Sequence, residues 1–454
     1  MRKNDSLKRL LILCLSFLGV VISTGMYAYT WIFQYHQRYV YNVKLYFWGH
    51  IMMVLIYFIL LFFFTTTYGG MKIGFLKPFD VFFSQGFSLL CVNIITYMQI
   101  SLMEVKLVWT NGLLWMTVLQ IIVAGIWTFV CNYIYRKAFP PRDLLLVHGE
   151  RSIEDICQKF ASRPDKYRIA KTVDVAMGTD AIQKEILDSK MAVVLWDIPT
   201  TDRNTLFKFC YSRSIRVYMM PKITDVLIKG SDQLHLFDTP ILLSREFSLK
   251  VEQRIAKRAI DIICSLLLLI ISSPIQLITA MVIKAYDGGP VLYKQIRCTT
   301  NGREFEILKF RSMRVDAEKD GVARLAAKND SRITPIGKFI RAVRIDELPQ
   351  LFNILRGDMS FIGPRPERPQ IIAQYMEEMP EFALRMKVKA GLAGYAQVYG
   401  KYNTTPYDKL KLDLSYIENY SLWLDIKLML LTLKILFKPE STEGVDSTQT
   451  TAMK

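Results

Sequence analysis

Four apolar stretches fill the first third of the chain: about Leu10 to Phe33, Leu45 to Phe64, Val81 to Met103 and Leu107 to Tyr135. Each is close to the roughly 20 residues that a helix needs to cross a bilayer. A chain that begins this way is expected to build a membrane helical bundle. The first stretch is long, lacks a small-residue cleavage site and is followed by further spans, so it reads as a retained helix rather than a leader. Arg2, Lys3, Lys8, Arg9, Lys72, Lys77, Arg136, Lys137 and Arg142 flank one side of the bundle, whereas Arg38, Lys44 and Lys106 flank the other. That bias places the N-terminus and everything after the fourth helix in the cytoplasm. Asn93 and Gln99 inside the spans read as helix–helix hydrogen-bonding groups.

The chain is 51% hydrophobic and yet carries a formal net charge of +17 over its 454 residues. Apolar segments joined to basic surfaces suit a protein that meets anionic lipid or phosphate. Seven cysteines, with no C-x-x-C pair, argue for reduced thiols rather than a disulfide framework. The histidines are His36, His50, His148 and His235, so chemistry beyond residue 235 has no imidazole base to use.

From Arg142 the pattern changes. "DLLLVHG", "YRIAKTVDV", "MAVVLWDIP" and "IRVYMMP" read as strands, and "SIEDICQKF", "DAIQKEILDS" and "TDRNTLFKFCYSRS" as the helices between them. This is a small βαβ-type, Rossmann-like module with a parallel sheet. After the first strand comes "VHGERS", with one glycine where a dinucleotide fingerprint needs several, so the module is expected to serve assembly or regulation.

A second membrane element runs from Ile262 to Ile283, with Ser272, Ser273 and Pro274 at its midpoint. Proline removes a backbone donor and crowds the preceding turn, so a kinked spanning helix is the ordinary reading. Both flanks are basic, however: Arg254, Lys257 and Arg258 before, Lys284, Lys294 and Arg297 after. A re-entrant helix that returns at the Ser273-Pro274 break keeps both flanks on the cytoplasmic side, in line with the positive-inside bias.

Beyond it lie thirteen basic residues: Lys294, Arg297, Arg303, Lys309, Arg311, Arg314, Lys319, Arg324, Lys328, Arg332, Lys338, Arg341 and Arg344. Six acids accompany them: Glu304, Glu306, Asp316, Glu318, Asp320 and Asp330. Directly after a membrane element, this excess points to headgroups or a phosphorylated substrate, with no nucleic-acid reader motif in sight. In "AVRIDELPQLFNILRGDMSFIGPRPERP", Asp346 and Glu347 stand just before a helix that Pro349 opens. They read either as a helix cap or as a pair of functional carboxylates. Arg341 and Arg344 precede them, and the prolines of "GPRPERP" restrain Arg365, whose fork of donors suits a phosphate.

These residues carry a resemblance. With the Ser273-Pro274 break, "KFRSM" at Lys309 to Met313, "RITPIGKFIRAVRIDELPQLFN", "GDMSFIGPRP" and "YSLWLDIKLMLLTLKI", the stretch from about Arg254 to Pro439 resembles the bacterial sugar transferases, the monotopic phosphoglycosyl transferases. The bundle and Rossmann-like module in front resemble their long polyprenyl-phosphate glycosyl-1-phosphate transferase subfamily. The resemblance implies transfer of a sugar 1-phosphate from a UDP-sugar to undecaprenyl phosphate, with release of UMP, initiating capsule, exopolysaccharide or O-antigen synthesis. It implies Asp346 as a covalent nucleophile and Glu347 as the ligand of a Mg²⁺ cofactor.

Lys309, Arg311, Arg341, Arg344 and Arg365 are the expected phosphate contacts, with Asp358 and Asp425 in support. A rival, the metal-dependent nucleotide-sugar glycosyltransferase, calls for a D-x-D motif that the sequence lacks. The expected architecture is a four-helix transmembrane bundle over 1–140, a Rossmann-like α/β module over 141–248, and a re-entrant helix with an α/β catalytic domain and interfacial helices over 249–438. A disordered tail over 439–454 completes it. The last helix, about Tyr420 to Phe437, is expected to lie in the membrane interface with Lys427, Lys434 and Lys438 on one face. A homodimer in the bacterial cytoplasmic membrane, with its catalytic domain facing the cytoplasm and no nucleic-acid partner, completes the expectation.

Overall fold

In the computed structural model the described residues are 2–36, 45–109, 111–149, 151–236, 238–244, 249–314, 330, 332–400 and 404–436. The expected tail over 439–454, the side chains of Arg2 and Lys3, and Arg38, Lys44, Asp316, Glu318, Lys319, Asp320, Arg324, Lys328 and Lys438 lie outside them. The chain divides into two compact units, Met1–Met220 and Pro221–Lys454.

The first unit opens with four long helices: α1 (Arg2–Thr30, continuing in a wider helical turn over Trp31–Tyr35), α2 (Phe47–Tyr68), α3 (Pro78–Glu104) and α4 (Asn111–Ala138). All four are long and apolar enough to cross a membrane. Their inward faces bury Tyr27, Trp31, Tyr57, Leu61, Leu89 and Val92, while Leu55, Ile94, Leu114 and Ile126 point outward. Large apolar side chains facing out suit hydrocarbon rather than water. Inside, Asn93 ties the helices together: it accepts from Tyr57 Oη at 2.8 Å and donates to Gln120 Oε1 at 2.9 Å and Thr117 Oγ1 at 2.8 Å. Gln99 likewise reaches across, to Met53 Sδ at 3.1 Å.

The rest of this unit is the expected alternation: β1 (Arg142–His148), α5 (Glu154–Ala161), β2 (Tyr167–Asp174), α6 (Thr179–Ser189), β3 (Ala192–Trp196), α7 (Thr200–Ser212) and β4 (Val217–Met219). The strands pair in parallel in the order β2-β1-β3-β4. The unbroken apolar run of β1 follows from burial on both faces. Leu145 and Val147 pack with Ile182, Leu206 and Cys210, whereas Leu144 and Leu146 pack with Ile156 and Trp196. The single glycine after β1 has a packing reason, since a Cβ on Gly149 would stand 2.3 Å from Asp197 O.

The second unit contains α8 (Ile223–Lys229), the β5–β6 hairpin (Asp232–Leu236, Thr239–Leu243), α9 (Val251–Asp287) and the β7–β8 hairpin (Leu292–Cys298, Glu304–Phe310). It continues with α10 (Pro335–Ala342), α11 (Gln350–Arg356), β9 (Ser360–Ile362), α12 (Pro369–Glu378), β10 (Gly391–Ala393), α13 (Tyr395–Tyr399), α14 (Pro406–Glu418) and α15 (Leu422–Leu436). Its core gathers Ile307, Leu351, Ile354, Ile362, Phe382, Leu410, Leu414 and Leu428. Ile223 and Val226 of α8 belong to this core, so the chain divides at Met220/Pro221 rather than at the expected 248.

Two expectations need correction. The Ser273-Pro274 step does not interrupt the helix: α9 is continuous from Val251 to Asp287 with Pro274 inside it. Pro274 deprives Ile270 O of its usual donor, and Ser273 Oγ donates to that same carbonyl at 2.9 Å. The polarity of α9 is inverted, with Lys257, Asp261, Ser265, Ser272 and Thr279 buried while Leu266, Ile271, Leu277 and Ile278 are exposed. In α15, Lys434 is not on an exposed basic face; it is buried on the same side as Asp425, Leu428 and Leu431, whereas Trp423, Leu433 and Leu436 are exposed. Core packing of Leu428 sets that rotation.

Candidate functional site

β8 begins the site. Phe305 and Ile307 anchor it in the core, and Lys309 follows at the strand's end. Asn353, fully buried on α11, accepts from Leu308 N at 3.0 Å and donates to Glu306 O at 2.7 Å. One side-chain amide therefore fastens the strand carrying Lys309 to the helix that follows the acid pair. At the far end of α11, Arg258 of α9 donates to Ile354 O and Leu355 O at 2.6 and 2.7 Å, satisfying carbonyls that a helix terminus leaves open.

Asp346 and Glu347 lie in a tight helical turn, Ile345–Glu347, between α10 and α11, with Pro349 leading into α11. The turn is entered through Arg344 at φ +56°, a left-handed conformation that side chains other than glycine seldom adopt. That reversal lets α10 end and the carboxylates face β8.

Arg365 comes from the loop after β9. A Cβ on Gly363 would stand 2.3 Å from Lys389 O, so only glycine allows the backbone after β9 to lie this close to the backbone leading into its parallel partner β10. Gly363 N donates to Ala393 O and Gly391 N to Pro364 O, both at 2.9 Å. Arg385, almost fully buried, donates from Nη2 to Arg365 O at 2.9 Å and pairs with Asp413 at 2.8 Å. Arg297 holds Pro366 O at 3.2 Å, and Glu367 takes Lys409 at 2.5 Å with Arg297 and Arg385 nearby at 3.6 and 3.8 Å. Arg365 is thus carried on a backbone clamped from several sides.

The convergence is tight. Arg365 Nη2 donates to Glu347 Oε1 at 2.8 Å, and Lys309 Nζ approaches the same oxygen at 3.4 Å. Burial pushes Glu347 up, but Arg365, Lys309 and Arg344 outweigh it and hold the carboxyl well below its ordinary range. Asp346 goes the other way: burial, then the neighbouring Glu347 charge, raise it to about 6, with Lys309, Arg341 and Arg365 opposing. Burial lowers Lys309, against the pull of Glu347. Two adjacent carboxylates with pKa values driven apart are a usual sign of divided chemical roles.

Six of the expected site residues therefore come together: Asp346, Glu347, Lys309 and Arg365 in close array, with Arg341 and Arg344 acting on the carboxylates by charge. Arg311 does not join them. It is buried against Asp287 and donates from Nε to Pro290 O at 2.7 Å, fastening the end of α9. Asp358 pairs with Arg303 at 3.1 Å, and Asp425 is buried with Lys257 at 2.6 Å and Tyr416 Oη at 2.7 Å. Asn353, Glu367, Arg385 and Asp413 were missed from the sequence; a buried-type asparagine in "LFN" and the glutamate of "PRPE" were the available signals.

The family described as bacterial sugar transferase matches residues 252–439, a span that holds every residue of this cluster. A UDP-glucose:undecaprenyl-phosphate glucose-1-phosphate transferase of Caulobacter vibrioides is 38% identical over 197 residues, covering 42% of this chain and 73% of that protein. The chain belongs to the bacterial sugar transferase family. Other members are longer than the shared region: a UDP-N-acetylgalactosamine-undecaprenyl-phosphate N-acetylgalactosaminephosphotransferase of Aeromonas hydrophila is 43% identical over 183 residues, 40% of this chain and 43% of that one. An undecaprenyl-phosphate glucose phosphotransferase of Komagataeibacter xylinus is 44% identical over 204 residues, 41% of this chain and 38% of that one. The match thus spans less than half the length of these two relatives. Within this bacterial sugar transferase, the family match lies wholly in the second unit.

Proposed function

We propose that this protein transfers a sugar 1-phosphate from a UDP-sugar to undecaprenyl phosphate, releasing UMP, as the first committed step of capsule, exopolysaccharide or O-antigen assembly. The observation that carries the reading is the split acid pair: an ionised Glu347 locked to Arg365 and Lys309, beside an Asp346 of raised pKa. In the first step an Asp346 oxygen attacks the sugar-bearing phosphorus. A carboxyl–phosphorus bond forms, the phosphoanhydride bond breaks, and UMP leaves with the bridging oxygen and its electron pair. In the second step a phosphate oxygen of the lipid attacks that phosphorus, the carboxyl–phosphorus bond breaks, and Asp346 returns as carboxylate. A carboxylate can act as a covalent nucleophile in this way, and such transfers rest on positioning and charge neutralisation.

The carboxylate of Glu347 beside that of Asp346 fits a Mg²⁺ ion, which takes hard oxygen ligands from one or two carboxylates and leaves room for substrate phosphates. Glu347 would hold the ion, which would neutralise phosphate charge. Lys309 and Arg365 bind and orient the phosphates; Arg341 and Arg344 add positive potential.

The membrane arrangement we propose is a bundle of four spans and an α9 that stays helical but bends at Pro274 and returns to the face it entered, leaving the catalytic part on the cytoplasmic side. Its support is that both ends of α9 engage the same unit. Lys257 and Asp261 bond to Ile362 O, Asp425, Ser360 and Phe361. At the other end Ile283 packs with Phe310 and Ile340, and Asp287 pairs with Arg311. β8 supplies Ile307 to the central core and Phe310 to the far contact, so a spanning α9 would put one small domain on both membrane faces. A reporter fused after Gly288 is expected to read cytoplasm; a signal from the opposite side sinks this topology.

A homodimer is also proposed. The β5–β6 hairpin supports it, because it is exposed throughout and presents Leu234, Leu236, Ile241 and Leu243 on one face. Light scattering of the full chain would detect it.

The deciding experiment is incubation with a panel of UDP-sugars and undecaprenyl phosphate. UMP release and a trapped phosphosugar adduct are expected with one donor, and Asp346→Asn is expected to abolish both. Normal turnover by that variant overturns the nucleophile assignment; no release from any donor favours a non-enzymatic membrane scaffold.

A further inference from the structure

One enclosed polar group beside the acid pair is not used by the fold. Gln350 is the first residue of α11, four positions after Asp346, and is only 3% exposed. Its amide nitrogen is buried and donates to no atom among the described residues. The polar residues on either side of it are engaged. Glu347 meets Arg365 and Lys309, and Asn353 accepts from Leu308 N and donates to Glu306 O.

The spacing of these residues sets the direction in which Gln350 faces. Glu347, Gln350 and Asn353 are three positions apart, and a tight helical turn running into an α-helix lines such residues along one side. Asn353 brings that side onto β8 at Glu306 and Leu308, and Glu347 brings it to Lys309, the next position along the strand. Gln350 is held between the two, facing the end of β8 from which Lys309 reaches the acid pair. Leu351 and Ile354, on the adjacent side of α11, fill the core and fix the rotation of the helix.

A buried donor without an acceptor is unfavourable, and native structures keep few of them. Lys309 and Arg365 already bring two positive charges to Glu347, and burial lowers Lys309, so a third cation in this position would be disfavoured. A neutral amide supplies a donor without adding charge.

Resting on the transferase reading above, we propose that Gln350 is a catalytic residue. Its amide N–H donates to a non-bridging oxygen of the phosphoryl group that passes from the UDP-sugar to Asp346 and from Asp346 to the lipid. A phosphoryl group in contact with Asp346, Lys309 and Arg365 lies on the side of α11 that Gln350 faces. A donor fixed there before the reaction holds the phosphorus in line for attack and needs no rearrangement as charge shifts.

The test compares the full-length wild type with Gln350→Met, which keeps the length of the side chain and removes the donor. With the UDP-sugar that supports UMP release, kcat is expected to fall about a hundredfold, with KM little changed. The thermal unfolding midpoint in a mild detergent is expected to hold or rise, because an apolar side chain replaces a donor that the fold leaves unmet. A second measurement uses donors with sulfur in place of one non-bridging oxygen on the sugar-bearing phosphorus. Sulfur is a poor acceptor, so with one of the two diastereomers the replacement is expected to slow the wild type about tenfold more than it slows Gln350→Met. Wild-type kcat in Gln350→Met, a lowered midpoint, or sulfur effects equal in the two proteins for both diastereomers overturns this role and leaves the transferase reading standing. Absence of UMP release from the wild type with every donor overturns both.

Discussion

At the scale of single residues, the acid pair behaves as one unit with two tasks. For the proposed attack Asp346 must be ionised, and its raised pKa of about 6 makes the ionised form the minority below that pH. UMP release is therefore expected to fall about tenfold per pH unit below about 6 and to level off above it; a rate that stays flat to pH 4.5 would show that Asp346 stays ionised well below pH 6 in the working enzyme. Glu347 is the opposite case, ionised throughout and held by Arg365 and Lys309. Glu347→Gln strands two partly buried cations, and denaturant unfolding should show a loss of about 3 kcal/mol. Arg385 is a positioning residue, because it touches the backbone of Arg365 rather than the carboxylates. Arg385→Lys keeps the charge and loses the planar fork. Steady-state UMP release is expected to show kcat reduced about tenfold with KM for the UDP-sugar little changed.

At the scale of elements, what matters is how strands and helices are pinned to each other. Asn353 joins α11 to β8 and Arg258 joins it to α9, so the acid pair is referenced both to the strand of Lys309 and to the membrane helix. Where the chain leaves β9 at Gly363, beside its parallel partner β10, there is no room for a side chain. Gly363→Ala is expected to destabilise the second unit by about 3 kcal/mol or more, read as a shift in the unfolding transition, because the new methyl would meet Lys389 O. Much of this was legible. Strand and helix positions in the Rossmann-like module followed from their apolar periods, and the apolar lengths marked the membrane helices. The path of the chain through Ser273-Pro274 was not, because the penalty of the proline is local while its relief by Ser273 Oγ depends on a rotamer.

At the scale of the whole molecule, two units with separate cores divide the tasks. All the residues of the proposed reaction, and the family match, lie in the second. Residues 221–454 expressed alone in membranes are expected to retain UMP release, since the core of that unit is complete within it. Release that depends on the first 220 residues would show instead that the bundle and module take part in the reaction.

The amino-acid sequence by itself determined the kinds of chemistry within reach: apolar lengths that demand a bilayer, a basic region without histidine, and two neighbouring carboxylates with a proline-held arginine after them. It named six residues that the fold does gather. Which of the many cations serve those carboxylates was decided by tertiary structure. Lys309 and Arg311 are two positions apart in one motif, yet the first faces Glu347 and the second closes the end of α9. Arg385 reaches Arg365 O across 20 residues, and Asn353 reaches Glu306 O across 47. Periodicity records which way a side chain points from its own element; its partner depends on where another part of the chain crosses, and that is settled only when the core packs.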